Sequence, residues 1–123
     1  MASPHIERIR QFLQGEKNAP PAPIDVQRKG LDTLNERLMG HPVELLPGTQ
    51  VEKVVANGVP GEWIYFAGSD KERVLLYFHG GAYLLGSGDS HREAVARLSA
   101  ASGLRALLPE YRLAPEHPFP AAR

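Results

Sequence analysis

The sequence predicts an α/β fold built on a parallel pair of strands, and three observations predict it. Val74-Leu75-Leu76-Tyr77-Phe78 is apolar at every position, the pattern of a central strand covered on both faces. A glycine-rich loop and an amphipathic helix follow it, and residues 104–108 then give a second apolar strand. Strand, crossover helix and strand form a right-handed βαβ unit, so the two strands run parallel in one sheet.

The elements follow in order. Ser3 can cap a helix with Pro4 in its first turn, after which Ile6, Ile9, Phe12 and Leu13 fall on one face until Gly15 ends it. Beyond the prolines at 20, 21 and 23, Asp25 can cap a second helix with Leu31, Leu34 and Leu38 in a stripe, stopped by Gly40 and Pro42. From Thr49 the pattern becomes extended: Val51 and Val55 share a face, Asn57-Gly58 begins a turn closed by Pro60-Gly61, and residues 63–67 return antiparallel. A polar turn at 68–71 leads into the central strand. Ser90-His91-Arg92-Glu93 reads as a capping box opening the crossover helix, with Ala94, Val95, Leu98 and Ala101 inward and Gly103 past its end. The proline-rich segment after Pro109 is irregular.

The 123 residues are 42% hydrophobic and suffice for one small domain. Fourteen basic residues balance fourteen acidic ones, which gives none of the excess positive field that a nucleic acid or an anionic membrane would need. The absence of cysteine excludes a disulfide framework, a thiolate metal site and a cysteine nucleophile. Glu7, Arg8 and Arg10 interrupt the first apolar stretch, and no run reaches membrane-spanning length, so the expectation is a cytoplasmic protein.

The chemistry concentrates where the central strand ends. Phe78-His79-Gly80-Gly81-Ala82-Tyr83 leaves the carboxyl end of that strand, where open α/β sheets place their ligands. An isolated Gly-Gly there is ordinarily a turn. Consecutive glycines also permit backbone N–H groups to converge on one point, which is what a developing oxyanion needs. Gly86-Ser87-Gly88 before a helix suggests phosphate binding instead, but it lacks the third glycine and begins several residues past the strand.

Two motifs decide between these readings. Tyr77-Phe78-His79-Gly80-Gly81-Ala82-Tyr83 resembles the HGGG-type oxyanion loop of lipases and esterases. Further on, Glu110-Tyr111-Arg112-Leu113-Ala114-Pro115-Glu116-His117-Pro118-Phe119-Pro120-Ala121-Ala122 is similar to the second signature of the hormone-sensitive-lipase family. The resemblance covers the whole chain and implies an α/β-hydrolase fold, with cap helices in residues 1–47 and the N-terminal portion of the catalytic domain in residues 48–123. It implies a carboxylic ester hydrolase acting on short to medium acyl esters through a serine acyl-enzyme, without metal or organic cofactor. The Gly81 and Ala82 N–H groups would be two arms of the oxyanion hole, with Gly80 shaping the loop and a third arm beyond Arg123. His79, Tyr111 and Arg112 would hold the loop from behind. Tyr83, Leu84, Leu38 and Met39 would border the substrate pocket, although the helical stripes fit plain core packing equally well. Ala82 stands where a third glycine is commoner, and Glu110 where aspartate is usual.

No serine lies in a G-x-S-x-G elbow, because Ser87 stands directly between Gly86 and Gly88 and Ser90 serves as a cap. In the resembling family the serine, acid and histidine follow the oxyanion loop, so the remaining C-terminal portion of the hydrolase would carry them. The partners implied are that portion, a small-molecule ester and, as in many relatives, a second copy in a homodimer. Non-catalytic ligand binding, as in gibberellin receptors of the same fold, and an inactive truncated chain remain the alternatives.

Overall fold

The computed structural model describes residues 3–17 and 20–123. Its elements are α1 (Pro4–Lys17), α2 (Ile24–Asp32), α3 (Leu34–Met39), β1 (Gln50–Ala56), β2 (Val59–Tyr65), β3 (Asp70–Leu76), α4 (Gly88–Ser102) and β4 (Leu104–Pro109). The strands form one sheet in the order β1-β2-β4-β3. β1 and β2 pair antiparallel, as do β2 and β4, whereas β3 and β4 are parallel as the βαβ pattern requires.

The helices depart in detail from expectation. Ser3 caps α1 through the Ile6 amide (3.3 Å), but the helix continues past Gly15 to Lys17. A solvent-facing glycine costs a helix only about 1 kcal/mol, too little to end it alone. The second helix breaks at Thr33 into α2 and α3, and Asp25 lies within the first turn after Pro23 rather than at the cap. The Thr33 hydroxyl donates to the Lys29 carbonyl (2.9 Å), which offers the backbone an alternative to a continued helix. Gly40 ends α3 in the left-handed conformation, as expected.

The hairpin is tighter than the sequence suggests. Asn57 and Gly58 have φ of 49° and 84°, so they alone form the turn and Ala56 pairs directly with Val59. Pro60 and Gly61 lie within β2. Gly61 is required there by close approach, since a Cβ would stand 2.8 Å from the Leu108 carbonyl oxygen of β4.

Helix α4 begins earlier than its sequence suggests. Ser87 is the N-cap and Ser90 the third helical residue, and each side chain bonds the other's backbone amide. The buried face of α4 is Gly88, Val95, Ala96 and Ser99, while Ala94, Leu98 and Ala101 point outward. Close packing onto the sheet selects small residues, and Ser99 satisfies its hydroxyl on the Leu104 carbonyl (2.6 Å). This face meets Ile64, Ala106 and Leu108, with Leu75 and Tyr77 packed at the margin.

The strand expected to be central, β3, lies at the edge of this sheet. Leu75 and Tyr77 turn toward the core, but Leu76 and Phe78 on the opposite face are 53% and 64% exposed. Among the described residues only β4 pairs with β3. Among the described residues the outer face and the free edge of β3 therefore stay uncovered, a combination that promotes association of chains. Residues 1–123 expressed alone are expected to aggregate or to remain loosely packed. Solution mass and thermal unfolding check this: a monodisperse monomer with a sharp transition would show that the small core suffices.

Candidate active site

The site is a backbone structure at the carboxyl end of β3. The Tyr77 N–H still bonds the Leu107 carbonyl of β4 (2.9 Å), after which the chain leaves the sheet. The N–H groups of Leu84 (3.0 Å) and Leu85 (2.9 Å) then both close on the Gly81 carbonyl. Gly81 has φ of 133°, and a side chain there would be driven into the Leu85 carbonyl. Ala82 (54°) and Tyr83 (61°) are held in the left-handed region, at about 1–2 kcal/mol each. Among the described residues, the Gly81 and Ala82 N–H groups make no hydrogen bond within the protein.

Beneath this turn His79 is 3% exposed. Its Nδ1 lies 2.9 Å from the Gly80 carbonyl oxygen, which can only accept, so Nδ1 is the donor, and the buried Nε2 has no hydrogen-bond partner among the described residues. Tyr111 stacks on the imidazole at 4.3 Å and 17°, and its hydroxyl donates to the His79 carbonyl. Gly86, with φ of 95°, passes so near that a Cβ would strike the His79 ring and the Gly80 carbonyl. Phe78, His79, Gly80, Gly81, Ala82, Tyr83, Tyr111 and Ala122 line a cavity of about 330 Å³.

Polar groups fix both ends of the loop. At the far end, Glu110 accepts from the Gly88 N–H and the Ser87 hydroxyl donates to Asp32 of α2 (2.5 Å). The adjacent Glu62, 6% exposed, takes two bonds from the Arg92 guanidinium (2.7 and 2.8 Å), which with Asp89 hold the arginine's pKa above its ordinary value. At the near end, the Tyr83 carbonyl accepts from the Ala114 N–H (2.9 Å) and the Leu84 carbonyl from Arg28 Nε (2.9 Å).

The structure thus brings Gly80, Gly81, Ala82, His79, Tyr83 and Tyr111 together. Arg112 is exposed and makes no hydrogen bond to the loop; the guanidinium that reaches it is Arg28, from α2. Leu38 and Met39 are not at this cavity, because α3 packs against α1 and α2, and Met39 is 61% exposed. Leu84 contributes its carbonyl rather than a pocket wall. The sequence reading missed Arg28, Asp32, Glu62 and Glu116. Of these only Glu116 carried a signal, its place within the second motif.

His91, on α4, stacks obliquely 5.4 Å from His79. Burial, followed by the neighbouring His79, lowers its pKa below 6.5, against weaker upward pulls from the Ser87 backbone, Asp32 and Glu110. The fold therefore favours the neutral ring, and the stabilisation is present above pH 6.5 and lost as pH falls through the lower folded value. An NMR titration of His91 is expected to give a midpoint below 6.5, and His91→Gln to weaken the acid-side loss of stability. A midpoint at or above 6.5 would contradict the burial argument.

Residues 75–123 match the family described as the alpha/beta hydrolase fold. An acetyl-hydrolase of Streptomyces hygroscopicus is 36% identical over 124 residues, covering 99% of this chain and 39% of that protein. Carboxylesterase NlhH of Mycobacterium tuberculosis is 36% identical over 103 residues, 75% of this chain and 31% of that one. The crystal structure of an esterase from the bacterial hormone-sensitive lipase family superposes with a TM-score of 0.84 at 37% identity, over 99% of this chain and 39% of the other. The chain spans about two fifths of the length of the first and third of these relatives. Its strand order, its glycine loop after β3 and this likeness agree, and the chain belongs to the hormone-sensitive-lipase family of α/β hydrolases.

Proposed function

We propose that the protein is a carboxylic ester hydrolase in which this chain supplies the oxyanion loop, while a serine nucleophile outside these residues forms the acyl-enzyme. The observation that carries the reading is the pair of N–H groups at Gly81 and Ala82, which have no acceptor among the described residues and border the cavity of about 330 Å³. Attack on an ester carbonyl moves negative charge onto its oxygen, and fixed N–H donors stabilise that charge without reorganising as it develops. The turn that closes on the Gly81 carbonyl keeps the peptide planes from rotating. His79 and Tyr111 support the loop and transfer no proton in this scheme. The names of the relatives support ester hydrolysis, and the family resemblance of the two motifs points to short to medium acyl esters. Among the described residues no helix is long and apolar enough to cross a membrane, and the cysteine-free composition accords with a cytoplasmic setting.

A proline at position 82 would not be a clean test, because its ring imposes a negative φ where Ala82 has 54°. Replacing Ala82 by lactic acid removes the N–H and keeps the side chain. It also makes the Gly81 carbonyl that of an ester, a weaker acceptor for the Leu84 and Leu85 N–H groups, so amide exchange at Leu84 and Leu85 is read alongside to show that the turn is kept. In the complete protein this ester-for-amide exchange is expected to lower kcat on p-nitrophenyl butyrate by about 10²–10³, near 2.7–4 kcal/mol. Unchanged kcat in the folded variant would remove Ala82 from the hole. A complete protein that binds esters and phosphonates without turnover or covalent labelling would instead support a binding role.

A further inference from the structure

We infer that Arg28 is a positioning residue for the oxyanion loop, a guanidinium clasp through which helix α2 holds the Gly81–Ala82 donors in place. The inference rests on the hydrolase reading above and adds a residue outside both sequence motifs. All three guanidinium nitrogens of Arg28 donate. Nε donates to the Leu84 carbonyl (2.9 Å), Nη2 to the Ala114 carbonyl (2.9 Å), and Nη1 and Nη2 each to a Glu116 carboxylate oxygen (2.8 Å). Leu84 is two residues from Ala82 and belongs to the turn closed on the Gly81 carbonyl. Ala114 donates to the Tyr83 carbonyl, so the clasp joins both strands of polypeptide that hold this turn. Its stem is on α2, whose last residue, Asp32, also receives the Ser87 hydroxyl at the far end of the same loop. One helix thus grips the glycine loop at both ends.

The need for such a grip is local. Ala82 and Tyr83 sit at positive φ, a conformation that lasts only where neighbouring contacts over-determine it. Among the described residues Arg28 is the charged side chain that bonds this segment from outside. With its bonds removed, the turn keeps the Leu84 and Ala114 N–H bonds but loses its side-chain hold at the Leu84 carbonyl, and the orientation of the two N–H groups is less tightly fixed. The guanidinium holds the Glu116 carboxyl down at about 2, so the pair stays ionised throughout the pH range of ester assays.

The test compares Arg28→Ala, Arg28→Lys and Glu116→Gln with the wild type in the complete protein, by ester kinetics and by hydrogen exchange of the loop amides. Arg28→Ala is expected to lower kcat by about 10–10²-fold while KM moves by less than about threefold, because the donors are displaced and substrate contacts are not. Amide exchange should rise at Leu84, Leu85 and Ala114 and stay unchanged in α4. Lysine has no planar fork and should restore little, whereas guanidinium added below denaturing concentration should restore part of kcat in Arg28→Ala. If Arg28→Ala does not fold, Glu116→Gln, which loosens the clasp without removing it, is expected to give a smaller change of the same kind. Unchanged kcat and loop exchange, or exchange raised evenly through α4 and the sheet, would overturn the inference. A wild type without esterase activity would sink the hydrolase reading, and the exchange experiment would still decide whether Arg28 sets the loop.

Discussion

The candidate site depends on one carbonyl. Gly81 O receives both the Leu84 and the Leu85 N–H, and this double closure forces the chain through consecutive left-handed residues. The alternative conformations open to Ala82 and Tyr83 would break one or both bonds. Glycine at 81 and 86 follows from the same geometry: at 81 a side chain meets the Leu85 carbonyl, and at 86 it meets the His79 imidazole. His79 is in turn held by Tyr111, so the second motif bears on the site by fixing what lies under the first.

The rest of the chain delivers that loop to a fixed place through polar ties as much as through apolar burial. The buried apolar cluster is Ile64, Val95, Ala96, Ala106 and Leu108, between α4 and the sheet. It settles the position of α4 on β2 and β4 but does not reach α1, α2 or α3. Of these, α2 is coupled to the loop by directed bonds: Asp32 with Ser87, and Arg28 with Leu84, Ala114 and Glu116. Glu62 and Arg92 do the same beside the start of α4, where a buried carboxylate without its guanidinium would be strongly unfavourable. Such ties specify position better than they add stability, since each exchanges hydration for a bond of similar strength.

What the sequence showed and what it hid divide along this line. The βαβ unit, the Asn57-Gly58 hairpin and the glycine loop were legible, because each rests on local periodicity or on residues with special backbone freedom. The face of α4 was misread because hydrophobicity favoured Leu98, while the sheet admitted only small side chains at Ala96 and Ser99. Pro60 and Gly61 were read as turn residues when their role is set by β4, a strand more than forty residues away. Arg28 was illegible for the same reason. Nothing in its own helix marks it: two of its acceptors are carbonyl groups, which every residue possesses, and the third is the Glu116 carboxylate, far away in sequence. Arg112 was named in its place on the strength of its motif, and the structure puts that side chain in solvent.

Backbone construction of the site changes where sensitivity should lie. The donors proposed here are main-chain groups, so the residue at 82 is free to be alanine provided the left-handed turn is enforced, whereas 81 must stay glycine. Enforcement comes from groups that never approach an ester: the His79 ring under Gly86, the Ala114 N–H on Tyr83, and the Arg28 guanidinium on Leu84. A fixed dipole stabilises an oxyanion only as well as its orientation is held, because a donor that must swing into place spends its interaction on reorganising. Substitutions at these remote anchors should therefore act on the reacting geometry more than changes to exposed side chains around the cavity, such as Tyr83. In the proposed hydrolase the N-terminal helices then matter chiefly as struts, and α2, the helix that grips the loop at both ends, is the one whose position the Gly81 and Ala82 donors would read out.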